Sequence, residues 1–117
     1  MKVTTLNEYA WWVRDSWAEF PVREGCNIYG LEGRFIAATG LAEEAGEVLG
    51  KLKKEVRDGL TNSLGTEVLK ELGDTLFYLT KIADFYGWSL QDVANAQIQK
   101  VLDRRTRGTL NGSGDDR

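Results

Sequence analysis

Two groups of acidic residues lie in the middle of this 117-residue sequence, and their spacing suits metal chemistry. The first is Glu43-Glu44-x-x-Glu47, and the second is Glu71-x-x-Asp74. The sequence contains no histidine, so these groups offer only carboxylate oxygens, the ligands that Mg²⁺ or Mn²⁺ prefers and zinc does not. If the chain is an enzyme, carboxylates and cationic side chains must carry its reaction.

The absence of histidine also excludes several common catalytic and metal sites. Ser-His and Cys-His nucleophilic systems, His-ligated zinc and the Glu-x-x-His sites of di-iron bundles all require that residue. The single cysteine, Cys26, cannot form an internal disulfide, so we interpret it as an inert thiol in a reducing compartment.

Charge and hydropathy limit the classes of partner. The net charge is −3, from 15 basic and 18 acidic residues, so we expect the protein to bind neither nucleic acid nor membranes through its overall charge. The N-terminus lacks the apolar run of a signal peptide, and no apolar stretch of about 18 residues occurs. We therefore expect a cytoplasmic protein.

The acidic groups need elements that bring them together, and the hydropathy pattern predicts four helices. Apolar residues recur with a period of about 3.6 through most of the chain, and no run alternates as a strand would. The first three helices are predicted over about residues 5–20, 34–56 and 66–86. A fourth follows Ser89, which forms a variant of the capping box with Asp92. We predict one all-α domain, residues 1–108, and a polar tail, residues 109–117.

The acidic group of the second helix is open to two interpretations. At about 100° per residue, Glu43, Glu44 and Glu47 share an arc of about 100°, opposite the apolar residues of the same helix. Taken alone, this arc is a solvated polar face, on which Glu47 could pair with Lys51 at i, i+4.

The third helix favours a binding site instead. Residues 75–85 are apolar on nearly every side, so we predict a central, buried helix on which Glu71 and Asp74 are partly enclosed. An enclosed pair of carboxylates costs several kcal/mol per ion unless a cation compensates, and a divalent metal would do so. Gly46 and Gly73 lie inside the two helices, and we expect a close crossing there, with ordinary helix packing as the alternative.

A cationic cluster ends the fourth helix, where Lys100, Arg104, Arg105 and Arg107 lie within eight residues. Such a cluster can simply complement the helix dipole, or it can bind the phosphates of a ligand held by the metal. In the second case the tail, with Ser113 among glycines, could order over the phosphates and donate backbone N–H groups to them.

One of the four tryptophans is a candidate for ligand binding. Trp12 lies off the apolar stripe of the first helix, to which Trp17 belongs. Its ring could stack on a nucleotide base or lie in a subunit interface, and we favour the interface.

A family resemblance lies in three segments of the sequence. They are GLAEEAGEV (residues 40–48), KELGDTLFYL (residues 70–79) and the ending RGTLNGSGDDR. Their EExxE…ExxD pattern resembles the signature of the MazG-like all-α nucleoside triphosphate pyrophosphohydrolases, over about residues 35–117. The resemblance implies an antiparallel helical bundle whose core is completed by subunit association. Such a protein would be a homodimer or homotetramer with its site near an intersubunit groove.

The same resemblance implies roles for the acidic and basic residues. Glu43 would be a further metal ligand through water, or an orienter or base for the attacking water. With Glu44 and Glu47 it would form the catalytic set. Two or three Mg²⁺ ions, or Mn²⁺ as a substitute, would be bound by Glu44, Glu47, Glu71 and Asp74. The phosphate-binding residues would be Lys100, Arg104, Arg107 and Ser113, with Gln97 or Asn95 in place of the asparagine of relatives.

The implied reaction is the metal-dependent hydrolysis of a nucleoside triphosphate to a monophosphate and pyrophosphate. Purine deoxynucleotides, and dGTP first, are the substrates to test. Two other functions stay open: hydrolysis of phosphoribosyl-ATP by the same chemistry, and a non-catalytic helical oligomerisation or regulatory module whose acids form only a solvated face. Metal-dependent turnover and its products distinguish the three.

Overall fold

The computed structural model describes residues 1–109 and 111–115 of the chain. It contains four helices and, within those residues, no strand, which confirms the predicted all-α class. None of the helices in the described range has the length and apolarity that a membrane span requires. The helices are α1 (Leu6–Trp17), α2 (Leu31–Asp58), α3 (Asn62–Phe85) and α4 (Leu90–Arg107).

Side-chain caps fix the start of α3 and α4. The Thr61 hydroxyl accepts a hydrogen bond from the Leu64 N–H at 3.0 Å, so α3 begins earlier than the predicted residue 66. Ser89 caps α4 as predicted: its hydroxyl accepts from the Asp92 N–H at 3.0 Å, and the Asp92 carboxylate accepts from the Ser89 N–H at 2.9 Å. This reciprocal capping box satisfies two backbone donors that α4 leaves open.

The bounds of α1 and α2 differ from the prediction for local reasons. α1 ends at Trp17 and not near Phe20, because the Phe20 N–H bonds back to the Trp17 carbonyl at 3.0 Å in a tight turn. α2 runs from Leu31 to Asp58 and stops at Gly59, whose φ of 90° is open to glycine at little cost.

The long helices α2 and α3 form the frame of the molecule. Only residues 59–61 separate them, so they run antiparallel and pack side by side. The shorter helices α1 and α4 pack against α3 and against each other. Within the described helices, no Cα of α1 or α4 comes within 8 Å of a Cα of α2.

The small core forms where α1 meets the C-terminal half of α3. Trp17 is fully buried, and its indole Nε1 donates to the Ile28 carbonyl at 2.8 Å, which ties residues 18–30 to α1. Its ring packs against Phe20, Phe77 and Phe85 at centroid distances of 4.6, 6.3 and 6.0 Å. Aromatic packing of this kind adds to the free energy gained from burial.

The close approach of α2 to α3 occurs at Gly40, and the expected crossing at Gly46 and Gly73 is wrong. A Cβ added at Gly40 would lie 2.6 Å from the Tyr78 ring, so this position needs a glycine. A Cβ at Gly46 or Gly73 would meet nothing within 4 Å, because both residues lie on exposed faces of their helices. The glycines near the acidic groups therefore do not set the helix spacing within the chain.

An apolar face of the α2–α3 hairpin is open to solvent toward the connection at residues 59–61. The prediction that α3 is a central, buried helix is therefore wrong for part of its surface. Within the segment predicted to be buried, side chains of α3 such as Leu76 and Leu79 are only half-buried. The radius of gyration is 17.2 Å, well above the roughly 13 Å of a compact chain this long. The exposed side chains of this face are Leu49, Leu52, Val56, Leu69 and Leu72.

Candidate functional site

Three carboxylates from α2 and α3 meet in the middle of the hairpin and form the carboxylate cluster. Glu71 and Asp74 are three residues apart on α3 and so share a face, and Glu44 reaches them from α2. One oxygen of each of the three side chains lies within 4.8 Å of the others. Glu44 and Glu71 are half-buried, whereas Asp74 is exposed, so the cluster opens to solvent on one side.

The carboxylates of the cluster repel one another. Burial raises the pKa of Glu44, and a hydrogen bond with Glu71 and the charges of Asp74, Glu71 and Glu43 raise it further. A carboxyl group beside other carboxylates holds its proton longer, since the ionised forms repel. A cation placed among these oxygens would remove that repulsion.

Among the ion pairs of the described residues, Lys51 is the one lysine or arginine that pairs with a member of the cluster. Its ammonium lies 3.8 Å from a Glu71 oxygen and 3.7 Å from a Glu67 oxygen, so it pairs across the hairpin and not with Glu47, the partner that a solvated polar face would offer. No ion pair within the described chain involves Glu44 or Asp74. The cluster therefore keeps an excess of negative charge.

The residues present fit a hard divalent cation. Three carboxylates with no imidazole or thiolate beside them are the donor set of Mg²⁺ or Mn²⁺. The mutual repulsion that raises the pKa of Glu44 is the electrostatic feature that such an ion would relieve.

The other two glutamates of α2 lie beside the cluster and not in it. Glu43 is exposed, yet close enough that its charge raises the pKa of Glu44 and of Tyr78. Glu47 is exposed one turn further along α2 and contributes no oxygen to the group within 4.8 Å. The roles predicted for Glu43 and Glu47 stay predictions.

Two tyrosines that the sequence analysis missed lie next to the cluster. Burial raises the pKa of Tyr78, and the charges of Glu44, Glu43 and Asp74 add to that effect. Burial also raises the pKa of Tyr9, with a further contribution from Asp74. Tyr78 follows Asp74 by four residues on one helix face and could have been found from that spacing, whereas Tyr9 of α1 carries no such signal.

Trp12 belongs to an aromatic group that reaches from α1 to the helix of the cluster. Its ring stacks on Tyr9, with centroids 5.9 Å apart, and meets the Phe77 ring edge to face at 6.2 Å. Phe77 lies one turn beyond Asp74 on α3. The Trp12 side chain remains 41% exposed, so part of the ring is free for a ligand or a partner.

The cations of α4 form a second charged group, which we call the α4 cation pair: Lys100 and Arg104. Lys100 Nζ and Arg104 Nη2 each lie 3.1 Å from the same oxygen of Asp115, so the tail folds back onto α4. Arg107 pairs with Asp103 at 2.7 Å. In the single chain α4 does not approach α2, so these cations are not assembled with Glu44.

The remaining predicted phosphate-binding residues lie on the surface. Asn95 and Gln97 are exposed on α4, and Ser113 is exposed in the tail segment that leads to Asp115. Their contact with phosphate stays a prediction.

Comparison with known proteins shows the family of the chain. The model of the "MazG nucleotide pyrophosphohydrolase domain" matches residues 36–108. The "Gene 37 protein" of Mycobacterium phage L5 is 34% identical over 90 residues, which cover 74% of this chain and 79% of that protein. The "Uncharacterized protein YvdC" of Bacillus subtilis (strain 168) is 31% identical over 94 residues, 74% of this chain and 86% of that protein. No solved structure matches the chain.

The matched segment contains nearly all of α2, all of α3 and all of α4. It therefore includes every residue of the carboxylate cluster and the α4 cation pair, but it leaves out α1 with Tyr9 and Trp12. From this match over more than half of its length, the chain belongs to the MazG nucleotide pyrophosphohydrolase family.

Proposed function

We propose that the protein is a metal-dependent pyrophosphohydrolase that converts a nucleoside triphosphate and water to a nucleoside monophosphate and pyrophosphate. The carboxylate cluster is the observation that carries this proposal, because it gathers Glu44, Glu71 and Asp74 within 4.8 Å in a chain of a nucleotide pyrophosphohydrolase family. Its excess negative charge suits a bound divalent cation and not a direct contact with phosphate.

In this proposal Glu44, Glu71 and Asp74 would hold Mg²⁺, and Glu47 would join them from the next turn of α2. When bound, the ions would neutralise the triphosphate, polarise the phosphorus under attack and lower the pKa of a coordinated water. Glu43, exposed beside the cluster, accepts a proton from the attacking water or orients it. Lys100, Arg104 and Arg107 would then offset the charge on the pyrophosphate leaving group.

We further propose that the protein works as a homodimer or homotetramer, with its site near the groove between subunits. The open apolar face supports this, since Leu49, Val56 and Leu69 are 67, 90 and 68% exposed in the single chain. Sedimentation velocity tests the proposal: wild type should sediment as an oligomer and Val56→Lys as a smaller species. A monomeric wild type would contradict it.

The direct test of the activity is product analysis by ion-exchange chromatography with the eight common NTPs and dNTPs, with and without Mg²⁺. We expect metal-dependent release of monophosphate and pyrophosphate, with dGTP and other purine deoxynucleotides tested first. Asp74→Asn should abolish the reaction, whereas Glu67→Gln, which changes a carboxylate outside the cluster, should keep it.

Phosphoribosyl-ATP belongs in the same assay as a ninth substrate. Turnover of phosphoribosyl-ATP alone would assign the same chemistry to a different substrate. No turnover of any of the nine compounds would contradict the proposed activity and favour a non-catalytic oligomerisation or regulatory module.

Trp12 is the candidate that would stack on the base, and a subunit interface is the competing role. A Trp12→Leu variant should raise the KM for a dNTP by about tenfold if the ring binds the base, as stacking on one aromatic ring is worth roughly 1–3 kcal/mol. Hydrolysis of inorganic tripolyphosphate, which has no base, should not change. Trp88→Leu removes another exposed indole, 60% exposed, and serves as the control. A Trp12→Leu protein that instead loses its oligomeric state would place the ring in the interface.

A further inference from the structure

We propose that the α4 cation pair is a phosphate-binding site which the protein fills with its own Asp115 carboxylate, and that a phosphate group of the ligand displaces the tail from it. This inference rests on the proposed function for the identity of the ligand. It adds that the tail, residues 111–115, competes with the substrate for Lys100 and Arg104.

The geometry of the pair is that of an anion site. Lys100 and Arg104 are four residues apart on α4, so their side chains lie on one face of the helix. Both cations reach the same Oδ1 atom of Asp115, each at 3.1 Å. Two cations that converge on one oxygen match a phosphate oxygen as well as a carboxylate oxygen.

Arg104 has donor capacity that Asp115 does not use. The residue is only 7% exposed, and its Nη2 also donates to the Gly114 carbonyl at 3.1 Å. Its Nε is buried and has no hydrogen-bond partner in the part of the chain that the structure describes. A buried donor without a partner costs about 1–3 kcal/mol, and the fork of a guanidinium is completed by an anion with two or more oxygens. A phosphate can satisfy this nitrogen, whereas the single bound oxygen of Asp115 does not.

Asp115 can be displaced from the α4 cation pair. Its side chain is 81% exposed, so few contacts besides the two cations hold it. The hydrogen bonds from Lys100 and then Arg104 hold the pKa of Asp115 below its ordinary value, because both cations favour the ionised carboxylate. Gly114 precedes it with a φ of 82°, a backbone conformation that residues other than glycine rarely adopt.

The chain contains a matched control on α2. Asp58 accepts from Arg57 at 2.9 and 2.7 Å and has the same formal charge as Asp115. It is exposed and makes no hydrogen bond to the α4 cation pair among the described contacts. Asp58→Asn therefore removes one arginine-paired negative charge without vacating the site or releasing Arg107 from Asp103.

The test is the binding of inorganic pyrophosphate, measured by titration calorimetry in Mg²⁺ buffer, to wild type, Asp115→Asn and Asp58→Asn. We expect Asp115→Asn to lower the Kd for pyrophosphate by about three- to tenfold, since the ligand no longer displaces a charged group. Asp58→Asn should leave the Kd within about twofold of wild type. Adding Lys100→Ala to Asp115→Asn should remove the gain.

Each other outcome would overturn the inference. An equal gain in affinity for pyrophosphate in both aspartate variants would be a general charge effect. A higher or unchanged Kd in Asp115→Asn would mean that the tail does not compete. Pyrophosphate that binds to none of the proteins would mean that the pair is not a phosphate site. Because this titration needs no turnover, it separates the two proposals: nucleotide hydrolysis with no effect of Asp115→Asn refutes only the inference about the tail.

Discussion

Two acidic regions of this molecule differ in their neighbours: one is surrounded by cations and the other mainly by further carboxylates. Asp84, near the end of α3, accepts hydrogen bonds from Arg14 Nη2 and from Lys81 Nζ, both at 2.8 Å. The carboxylate cluster, further back on the same helix, has three acids and pairs with a single ammonium, that of Lys51, 3.8 Å from a Glu71 oxygen. The chain compensates the charge of the first region, whereas the second keeps an excess of negative charge.

The pKa shifts show the same difference. Burial acts to raise the pKa of Asp84, but the hydrogen bonds and charges of Lys81 and Arg14 outweigh it and lower the pKa. Burial and neighbouring acids raise the pKa of Glu44, and no cation opposes them. Asp84 therefore contributes to the stability of the fold, whereas the like charges of the cluster reduce it, as is common at functional sites.

The largest expected effect is the loss of activity when the cluster is broken. Asp74→Asn should reduce turnover by about 100-fold or more, because it removes one proposed ligand and leaves the others. Its melting temperature should equal or exceed that of wild type, since like charges are then fewer. Steady-state kinetics and thermal denaturation measure both. An active Asp74→Asn enzyme would contradict the metal assignment, and Glu67→Gln is the control.

The balanced region should respond in the opposite way. Asp84→Asn should lower the free energy of unfolding by about 3 kcal/mol, because it leaves the ammonium of Lys81 buried without its anion. Lys81 is 3% exposed and lies 4.6 Å above the Phe85 ring, which compensates for only part of the lost ion pair. Urea denaturation measures the change. Asp58→Asn, which removes an exposed partner of Arg57, should leave stability unchanged.

A divalent cation should stabilise the cluster by compensating its negative charge, as Lys81 and Arg14 do for Asp84. At a concentration of Mg²⁺ about 100 times its Kd, the free energy of unfolding should rise by roughly 2.7 kcal/mol in wild type. The gain should be much smaller in Asp74→Asn and intact in Asp84→Asn. Thermal denaturation with Mg²⁺ and with EDTA gives the values, and an equal gain in all three proteins would place the ion elsewhere.

The smallest effect should be the pH dependence of stability in EDTA, where the two regions have opposite signs. The lowered pKa of Asp84 contributes stability above its ordinary value of 3.8, and this is lost as pH falls through the folded pKa. The raised pKa of Glu44 has the reverse effect, since stability is lost as pH rises above 4.5 through the folded pKa.

Two variants separate these contributions. Glu44→Gln should gain stability relative to wild type as pH rises above 4.5. The deficit of Asp84→Asn should shrink as pH falls below 3.8. Urea titrations across this pH range measure both, and slopes of the same sign would break the comparison.

Local patterns predicted the helices and the grouping of acids well. The spacing of Glu71 and Asp74 on a helix is enough to place them on one face, and Ser89 with Asp92 is enough to start α4. The predicted start of the third helix at about residue 66 is late, because the glycines and polar residues before it are typical of a connector, whereas the Thr61 hydroxyl caps the helix. Such features depend on a few neighbouring residues, so the sequence contains them.

The features that depend on how α2 and α3 face each other could not be predicted in the same way. A glycine permits close approach, but the face that a helix turns to its neighbour decides whether Gly40 or Gly46 is used. Likewise Lys51 could reach Glu47 along α2, yet the register of the hairpin brings Glu67 and Glu71 to it. The return of Asp115 to α4 involves residues far apart in sequence and no periodic pattern at all.

The burial of Trp17 has an optical consequence. Of the four indoles, Trp17 is fully enclosed, whereas Trp11, Trp12 and Trp88 are 68, 41 and 60% exposed in the single chain. Acrylamide should therefore quench the fluorescence of three tryptophans and spare the fourth. Any rise in the unquenched fraction on self-association or on nucleotide addition would report that one of the outer indoles has become covered, with no label attached to the protein.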